Sequence, residues 1–362
     1  MEENQALKID QLLDGASGFG TAVSRETEDL SETVRDSQYT LNERIEAYED
    51  IINIEIGDTS LSRARNIERE TGLRQVYLKF EGGNPTGTQK DRIAFAQCQD
   101  ALRRGFEAIT LATCGNYGAS VALAAKLAGL TCFICIPENY HTQRIREMEN
   151  TGAQIIRAPG TYEEAVMFSK TMAQKHEYYD ANPGGVNTGL QIHAYSEIAN
   201  EIYDVLRDAP KAVASPVSNG TLLAGIYRGF VSLYKRGKTS RIPRFVAGSS
   251  FKKNPIIWSY KKGFDTCQDL TPETIRESRV NEPLINWHAF DGNEALYAIR
   301  ETDGTARDVT DQELVFYSRI LREKEGLSVL PASTAGLVAL LEWHRKEPME
   351  GDRYVAVLTG RK

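Results

Sequence analysis

One lysine of this chain stands in a loop whose residue types suit covalent chemistry. Lys90 follows a turn-forming run over residues 82–88 and precedes an amphipathic run over residues 93–102, which predicts a helix. The run before the loop, residues 75–80, alternates apolar and polar residues as a half-buried strand does. A lysine at a helix start lies near unpaired backbone N–H groups and the positive end of the helix dipole. Both favour the neutral amine, which attacks aldehydes and accepts protons.

Two further loops are predicted to join a strand to a helix. In residues 113–118, glycines and backbone N–H groups could hold a carboxylate, and Asn116 could offer its amide to a phenolic oxygen. In residues 217–222, small residues and N–H groups could hold a phosphate. That loop lacks both the lysine of a P-loop and a G-x-G-x-x-G pattern, which disfavours triphosphates and dinucleotides. Each loop alone could be an ordinary turn, but together they fit pyridoxal phosphate and a neighbouring amino-acid carboxylate.

The elements that must position these loops alternate along the chain. From about residue 75 the pattern is strand, turn and helix, repeated, which predicts right-handed βαβ units around parallel sheets. We expect an α/β fold with two open twisted α/β/α lobes, and a ligand cleft at the carboxyl ends of the strands. Residues 1–50 are expected to form an N-terminal arm packed on the body. Residues 250–310 show no regular pattern.

Composition excludes several classes of function. A net charge of −7 disfavours a nucleic-acid surface. The first residues are acidic, so we expect no signal peptide and a cytoplasmic protein. The longest apolar stretch, residues 121–136, is interrupted by Lys126, Gly129 and Thr131, which argues against a membrane span.

The cysteines do not indicate a disulfide framework or a metal site. There are five, at positions 98, 114, 132, 135 and 267, which is an odd count. Cys132 and Cys135 have C-x-x-C spacing, but they fall in a predicted buried strand, where residues three apart point to opposite faces. We therefore expect them to fill the core, and we expect no bound metal.

Four segments resemble the threonine synthase family of fold-type II, tryptophan-synthase-β-like enzymes that use pyridoxal phosphate. Residues 83–92 resemble its N-P-T-G-S-F-K-D-R signature, and residues 113–120 resemble its S-T-G-N-T-S-A-S loop. Residues 216–225 are similar to its P-V-G-N-G-T-T-L-A-G phosphate loop, and residues 357–360 to its final strand and T-G pair. Order and spacing hold from about residue 55 to residue 362.

The resemblance implies a role for each matched residue. Lys90 would hold pyridoxal phosphate as a Schiff base and then move protons. Asn116 would donate to the 3′-oxygen of the ring, and Thr359 would face the pyridine nitrogen. The substrate carboxylate would be bound by Thr113, Cys114, Gly115, Asn116 and Tyr117, and the phosphate by the N–H groups of Ser218, Asn219, Gly220, Thr221 and Leu222. A neutral hydroxyl at position 359 suits elimination and replacement better than transamination, because it does not stabilise a protonated ring.

The resemblance also implies a domain division and an assembly. Residues 51–95 and 185–362 would form a large cofactor-binding domain, and residues 96–184 a small mobile α/β domain. The family further implies a homodimer acting on a small amino acid.

The chain departs from the family where the substrate would bind. Family members that use O-phosphohomoserine carry an arginine and a G-Q-K-T run before the helix that contains E-I. Here residues 182–198 contain no arginine or lysine. A substrate phosphate would need charge-assisted donors, and the segment supplies only Asn187, Thr188, Gln191, His193 and Tyr195. In addition, Leu330 replaces the acid of the E-P-A-S-A-A stretch, and residues 56–61 lack the proline of E-G-x-T-P-L.

Several functions therefore stay open. The first is a threonine synthase-like lyase that eliminates a β- or γ-substituent from an amino acid and adds water or another nucleophile. The second is a β-replacement synthase acting on an activated serine, as cysteine and cysteate synthases do, and the third is an amino-acid dehydratase. A cofactor-binding partner subunit without turnover is a different class of function.

Overall fold

Two sheets with parallel strands organise the chain. The computed structural model describes residues 23–362 except residues 114, 139, 141, 143, 277 and 350. The larger sheet has six strands in the order β1-β2-β10-β7-β8-β9, and only β1 runs antiparallel to its neighbour. Its strands are β1 (Leu61–Arg63), β2 (Val76–Phe80), β7 (Ala212–Pro216), β8 (Arg244–Ser250), β9 (Thr305–Val309) and β10 (Tyr354–Leu358).

The smaller sheet has four parallel strands in the order β5-β4-β3-β6. They are β3 (Ala108–Ala112), β4 (Thr131–Pro137), β5 (Gln154–Ala158) and β6 (Tyr179–Asp180). All four lie within residues 108–180, and the division into a large and a small domain stays a prediction.

Helices alternate with the strands. They are α1 (Arg25–Arg35), α2 (Leu41–Glu55), α3 (Arg65–Thr71), α4 (Lys90–Arg103), α5 (Asn116–Ala128), α6 (Ile145–Asn150), α7 (Tyr162–His176), α8 (Thr188–Leu206), α9 (Thr221–Lys235), α10 (Pro255–Lys262), α11 (Gly292–Glu301), α12 (Asp311–Ile320) and α13 (Ala335–Lys346). A π-helical turn, Leu321–Glu325, follows α12. The predicted α/β fold with parallel sheets is confirmed. Every residue of β3, β7 and β10 is buried, as expected for parallel strands covered on both faces.

The elements that sequence patterns did not reveal lie at sheet edges or in the region without a regular pattern. Edge strand β1 has only three residues, and edge strand β9 carries Arg307 and Asp308, so neither shows an apolar run. Helices α10 and α11 also fall within residues 250–310. Charged and short edge strands are common, because they discourage pairing with other chains.

The described part of the N-terminal arm packs against α5. The hydroxyl of Tyr48 in α2 donates to the carbonyl oxygen of Ala124 at 3.0 Å, and Ser31 in α1 donates to Leu127 O at 3.1 Å. Tyr48 and Ile51 are fully buried. The arm therefore contributes to the core beside the four-stranded sheet.

The C-x-x-C pair lies in the core, as the sequence indicates. Cys132 belongs to the large apolar cluster, whereas Cys135 packs in a separate cluster with Ala158 and Val166. Burial raises the pKa of Cys132 to about 12, so its thiol is a poor nucleophile. The cysteines at positions 98, 132, 135 and 267 are free thiols, and Cys114 lies outside the described residues.

Two absences hold for the described residues. None of their helices combines the length and apolar character that crossing a bilayer requires. Nor do they contain a group of three or more His, Cys, Asp or Glu side chains that could hold a metal ion.

Candidate active site

The lysine loop is bound to the end of the last strand. Lys90 is the first residue of α4, and its N–H donates to the hydroxyl of Thr88 at 3.3 Å. The N–H of Gln89 donates to the carbonyl oxygen of Thr359 at 3.0 Å, and the N–H of Arg361 donates to Gly87 O at 2.9 Å. Gly87 has φ +83°, and a Cβ there would lie 2.7 Å from the Arg361 side chain, so the loop needs glycine at this position.

The surroundings of Lys90 favour its neutral amine. Desolvation lowers the pKa of Lys90 to about 8, although the negative charge of Asp291 acts in the opposite direction. The Nζ atom lies 5.4 Å from the centroid of the Tyr117 ring. Near pH 8 about half of the Lys90 amines are therefore neutral, whereas an ordinary lysine is almost fully protonated.

The second loop is bound to the lysine loop. Arg144 donates to Asn116 Oδ1 at 2.7 Å and to the carbonyl oxygen of Thr86 at 3.0 Å. The hydroxyls of Thr86 and Ser120 lie 2.9 Å apart. Because Asn116 Oδ1 accepts from Arg144, the amide nitrogen is the end of this side chain that could donate to a ligand. Arg144 precedes the short helix α6, and its position in the sequence gave no sign of this contact.

The other predicted residues of the second loop have structural partners. The Thr113 hydroxyl accepts from the N–H groups of Gly115 at 3.1 Å and Gly118 at 3.2 Å, so it shapes the turn. The Tyr117 hydroxyl donates to Ala181 O at 2.8 Å. Cys114 lies outside the described residues. Binding of a carboxylate by this loop stays a prediction.

The third loop has the donors that a phosphate needs. Gly220 has φ +100°, and a Cβ there would lie 2.6 Å from Asp291 O, so only glycine fits. Thr221 begins α9, whose first turn has no side-chain cap among the described residues. The carbonyl of Ser218 accepts from Asn254 Nδ2 at 3.0 Å, and Asn219 Oδ1 accepts from Asn286 Nδ2 at 3.2 Å. An uncapped helix start after such a turn fits a phosphate group. Leu222, the next residue of this helix after Thr221, is buried.

Asp291 is a residue of this site that the sequence analysis missed. Its carboxylate accepts from the hydroxyls of Thr221 and of Thr188, the latter at 3.5 Å, and its N–H donates to Asn219 O at 3.0 Å. It is 5% exposed, and burial raises its pKa. The pair Asp291-Gly292 before the amphipathic run of α11 is a helix-start signal, but it lies in the region that showed no regular pattern.

Two hydroxyls meet at the end of β10. Thr359 Oγ1 and Ser333 Oγ lie 3.1 Å apart, and Ser333 also donates to Gly360 O at 3.2 Å. Among the described residues, no carboxylate is hydrogen-bonded to either hydroxyl. Ser333, on the helical turn Pro331–Thr334, was not predicted as a site residue.

The polar residues around the start of α8 are mostly buried or bonded within the protein. Asn187 donates to Asp180 O at 2.7 Å and accepts from Arg104 at 3.1 Å. Gln191 donates to Gln97 Oε1 at 3.1 Å, and Tyr195 is fully buried. Thr188 instead reaches Asp291. This segment therefore supplies few side chains for a substrate phosphate.

A buried ion network supports the lysine loop from behind. Arg92, two residues after Lys90, contacts Glu81 at 2.6 Å and Glu201 at 2.6 Å. Glu201 also pairs with Lys79. Burial opposes the charge of Arg92, but the two carboxylates raise its pKa above the usual value. The network joins β2, α4 and α8, and so fixes the start of the helix that carries Lys90.

Comparison with known proteins identifies the family of the chain. A family model described as "Pyridoxal-phosphate dependent enzyme" matches residues 52–360. The threonine synthase of Methanocaldococcus jannaschii is 30% identical over 315 residues, which cover 86% of this chain and 76% of that protein. The threonine synthase of Synechocystis sp. is 31% identical over 314 residues, covering 86% and 78%.

Solved structures show the same fold at low sequence identity. Maize serine racemase has a TM-score of 0.73 and 19% identity over 88% of this chain and 92% of its own. The processed threonine deaminase isoform 2 of Solanum lycopersicum has a TM-score of 0.71 and 17% identity, with 90% of each chain covered. The comparisons confirm the predicted fold type, the pyridoxal phosphate cofactor and the prediction of a lyase that uses it. The chain belongs to the family of pyridoxal-phosphate dependent enzymes.

Proposed function

We propose that this enzyme eliminates a β- or γ-substituent from an amino acid and adds water or another nucleophile in its place. One observation carries the proposal. The lysine loop, which carries the Lys90 amine with its pKa of about 8, is hydrogen-bonded to Thr359, and the side-chain partner of Thr359 is the neutral hydroxyl of Ser333. The relatedness to threonine synthases supports it.

The residues of the four loops would divide the work. The N–H groups of residues 218–222 would hold the phosphate, and Lys90 would bind the cofactor covalently. Pyridoxal phosphate, when bound, withdraws electrons from the α-carbon of the amino acid. Lys90 would then take the α-proton and return it, since its pKa lies near the working pH. Asn116 would orient the ring through its amide nitrogen, and residues 113–117 would bind the substrate carboxylate.

Thr359 would bias the reaction because its neutral hydroxyl does not stabilise a protonated pyridine ring. A hydroxyl facing the pyridine nitrogen does not stabilise a protonated ring as a carboxylate would. Thr359 would therefore leave the pyridine nitrogen unprotonated, which would favour loss of a leaving group from the substrate over transamination. The Ser333 hydroxyl, 3.1 Å away, holds Thr359 in a fixed hydrogen-bonding arrangement.

A β-replacement synthase acting on an activated serine is the second candidate. The polar residues around the start of α8 favour it, because Asn187 and Gln191 bond within the protein and no arginine or lysine lies in residues 182–198. O-Phosphohomoserine would lack charged donors there. An amino-acid dehydratase is the third candidate, and a partner subunit without turnover is the alternative outside enzymology.

We further infer a small mobile domain around the four-stranded sheet, a homodimer, and a cytoplasmic location without nucleic-acid or membrane partners. The family resemblance supports the first two inferences, and the net charge of −7 supports the absence of nucleic acid.

The cofactor role of Lys90 has a direct test. The purified protein should be yellow, and borohydride should fix the colour to the peptide that contains Lys90. Lys90→Ala should still bind pyridoxal phosphate, but borohydride should no longer attach it. A protein that takes up no pyridoxal phosphate would contradict the role.

The reaction is tested by product analysis with O-phosphohomoserine, O-phosphoserine, O-acetylserine and threonine. Threonine and phosphate released from the first would exclude the β-replacement alternative, and 2-oxobutanoate from threonine would indicate the dehydratase. If no amino acid changes the visible spectrum of the loaded protein, the partner-subunit alternative gains support.

A further inference from the structure

Asp291 places a buried carboxylate between three parts of the site. It bonds to Thr221 of the phosphate loop and Thr188 at the start of α8, and its charge acts on the amine of Lys90. Its backbone N–H is held by Asn219, so the residue is fixed at this position. The carboxylate therefore lies between the phosphate loop and the start of α8, the segment in which the chain departs from the threonine synthase family.

This carboxylate is hydrogen-bonded without being neutralised. Two hydroxyls donate to it, and no lysine or arginine of the described residues forms an ion pair with it. A buried carboxylate is costly unless it has a cationic partner or several N–H donors. The described residues supply neither beyond the longer-range effect of Lys90, so a ligand could supply the missing donor.

Two cationic side chains of the neighbouring segments, Arg144 and Lys170, already have partners within the protein. Arg144 makes a two-point contact with Glu147, at 2.8 Å and 2.7 Å, besides its bonds to Asn116 and Thr86. Lys170 donates to Gly184 O at 3.3 Å and lies 5.0 Å from the centroid of the Phe290 ring. Neither of these two described cations is therefore free to offset the charge of a substrate phosphate beside the Asp291 carboxylate.

We propose that Asp291 selects an amino-acid reaction partner that carries an amine or another N–H donor at its far end, and disfavours phosphorylated ones. The inference rests on the proposed function and names its substrate class. The N–H donor could belong to the substituent that leaves or to the nucleophile that enters, and the two sources share one chemistry at Asp291.

Three amino acids on one carbon skeleton test the leaving-group source. They are L-2,3-diaminopropionate, with a cationic end, L-serine, with a neutral end, and O-phospho-L-serine, with an anionic end. Each is titrated into pyridoxal-phosphate-loaded enzyme, and the apparent Kd is read from the visible spectrum and from the shift in Tm. We expect diaminopropionate to bind about 10- to 100-fold more tightly than O-phosphoserine, as is typical for a hydrogen bond to a charged group.

Asp291→Asn should remove most of that preference while keeping the size of the side chain. Glu294→Gln is the matched control, because it removes the same charge one helical turn away, where Glu294 forms an exposed pair with Arg228 at 3.1 Å. The control should rank the three ligands as the wild type does. Asp291→Ser serves as a second variant, and cofactor loading is measured for each.

A second arm tests the incoming nucleophile. O-Acetyl-L-serine is supplied with either ammonia or sulfide, and the ratio of the two replacement products is measured. If the amine enters as the nucleophile, Asp291→Asn should lower the share of the ammonia product about 10-fold and leave the sulfide product unchanged.

The outcomes separate the two proposals. Spectral changes with the same ligand ranking and the same product ratio in wild type and Asp291→Asn would overturn the inference and leave the proposed function intact. A wild-type preference for O-phosphoserine would also overturn it, even if both Asp291 variants lose the cofactor. If no amino acid alters the spectrum of the wild type, the proposed function fails and the inference fails with it.

Discussion

The amine of Lys90 lies 5.4 Å from the centroid of the Tyr117 ring, and this contact joins two loops that are far apart in topology. Lys90 follows β2 of the six-stranded sheet, whereas Tyr117 follows β3 of the four-stranded sheet. The Tyr117 hydroxyl is fixed by Ala181 O at 2.8 Å. The reactive lysine is thus positioned by both sheets, and changes in either should alter its chemistry.

The pH dependence of cofactor attachment should reveal the lowered pKa of Lys90. Only the neutral amine attacks an aldehyde, so the rate of attachment should rise with pH around a midpoint of about 8. Asp291→Asn removes a negative charge that raises this pKa, and its midpoint should be lower. Rates are followed by absorbance after mixing cofactor-free enzyme with pyridoxal phosphate. A wild-type midpoint near 10 would contradict the prediction, and Glu294→Gln should leave it unchanged.

Removing Arg92 should destabilise the fold strongly. Arg92→Met leaves the buried carboxylates of Glu81 and Glu201 without their guanidinium partner, which typically costs about 3–5 kcal/mol. The free energy of unfolding is measured by urea denaturation. Arg319→Met is the control, because its pair with Glu323 is long, at 4.0 Å, and exposed, and such pairs contribute about 0–1 kcal/mol. Equal losses in the two variants would contradict the importance of the buried network.

The crossing of α8 and α9 should not tolerate a methyl group at Gly229. A Cβ there would lie 2.5 Å from Ser196 O and 2.6 Å from Ala199 Cβ. Gly229→Ala must push the helices apart, and we expect a loss of about 1–3 kcal/mol in the free energy of unfolding. Gly189→Ala, in the first turn of α8, meets nothing within 4 Å and should gain up to about 0.5 kcal/mol. A Gly229→Ala variant as stable as Gly189→Ala would contradict this packing.

Arg144 should affect substrate binding through Asn116 and Thr86. Arg144→Met removes the hydrogen bonds that Arg144 donates to Asn116 of the second loop and to Thr86 of the lysine loop. We expect the apparent Kd for amino acids to rise about 10-fold, the usual effect of losing a charged hydrogen-bond donor. Arg146→Met, on the exposed face of α6, is the control. Equal affinities in the two variants, measured by spectral titration, would show that Arg144 does not position the loop.

Local patterns in the sequence were sufficient to predict three of the loops, because each consists of small or polar residues after a strand, whereas the loop at Thr359 was found through the family resemblance. Lys90, Asn116, Gly220 and Thr359 stand at such positions. Asp291, Arg144 and Ser333 could not be found this way, because each reaches the site through tertiary packing. Asp291 bonds to Thr221 across 70 residues and Arg144 to Asn116 across 28 residues. No local periodicity encodes contacts of that kind.

An edge strand of the six-stranded sheet was also not predictable from local patterns. The buried run of β10 is apparent from its apolar residues, Tyr354–Leu358. Strand β9, with Arg307 and Asp308, has no such pattern and is defined by pairing with β8. Edge strands are specified by the neighbour they join more than by their own composition.

The position of β10 has a consequence for the order in which the enzyme is made. This strand is the last of the described strands in sequence, yet it lies between β2 and β7. A ribosome must therefore translate past residue 358 before the middle of the sheet can close, and the Thr359 contact of the lysine loop forms only then. Until that point β2 and β7 each expose an unpaired edge, which makes the nascent chain vulnerable to aggregation.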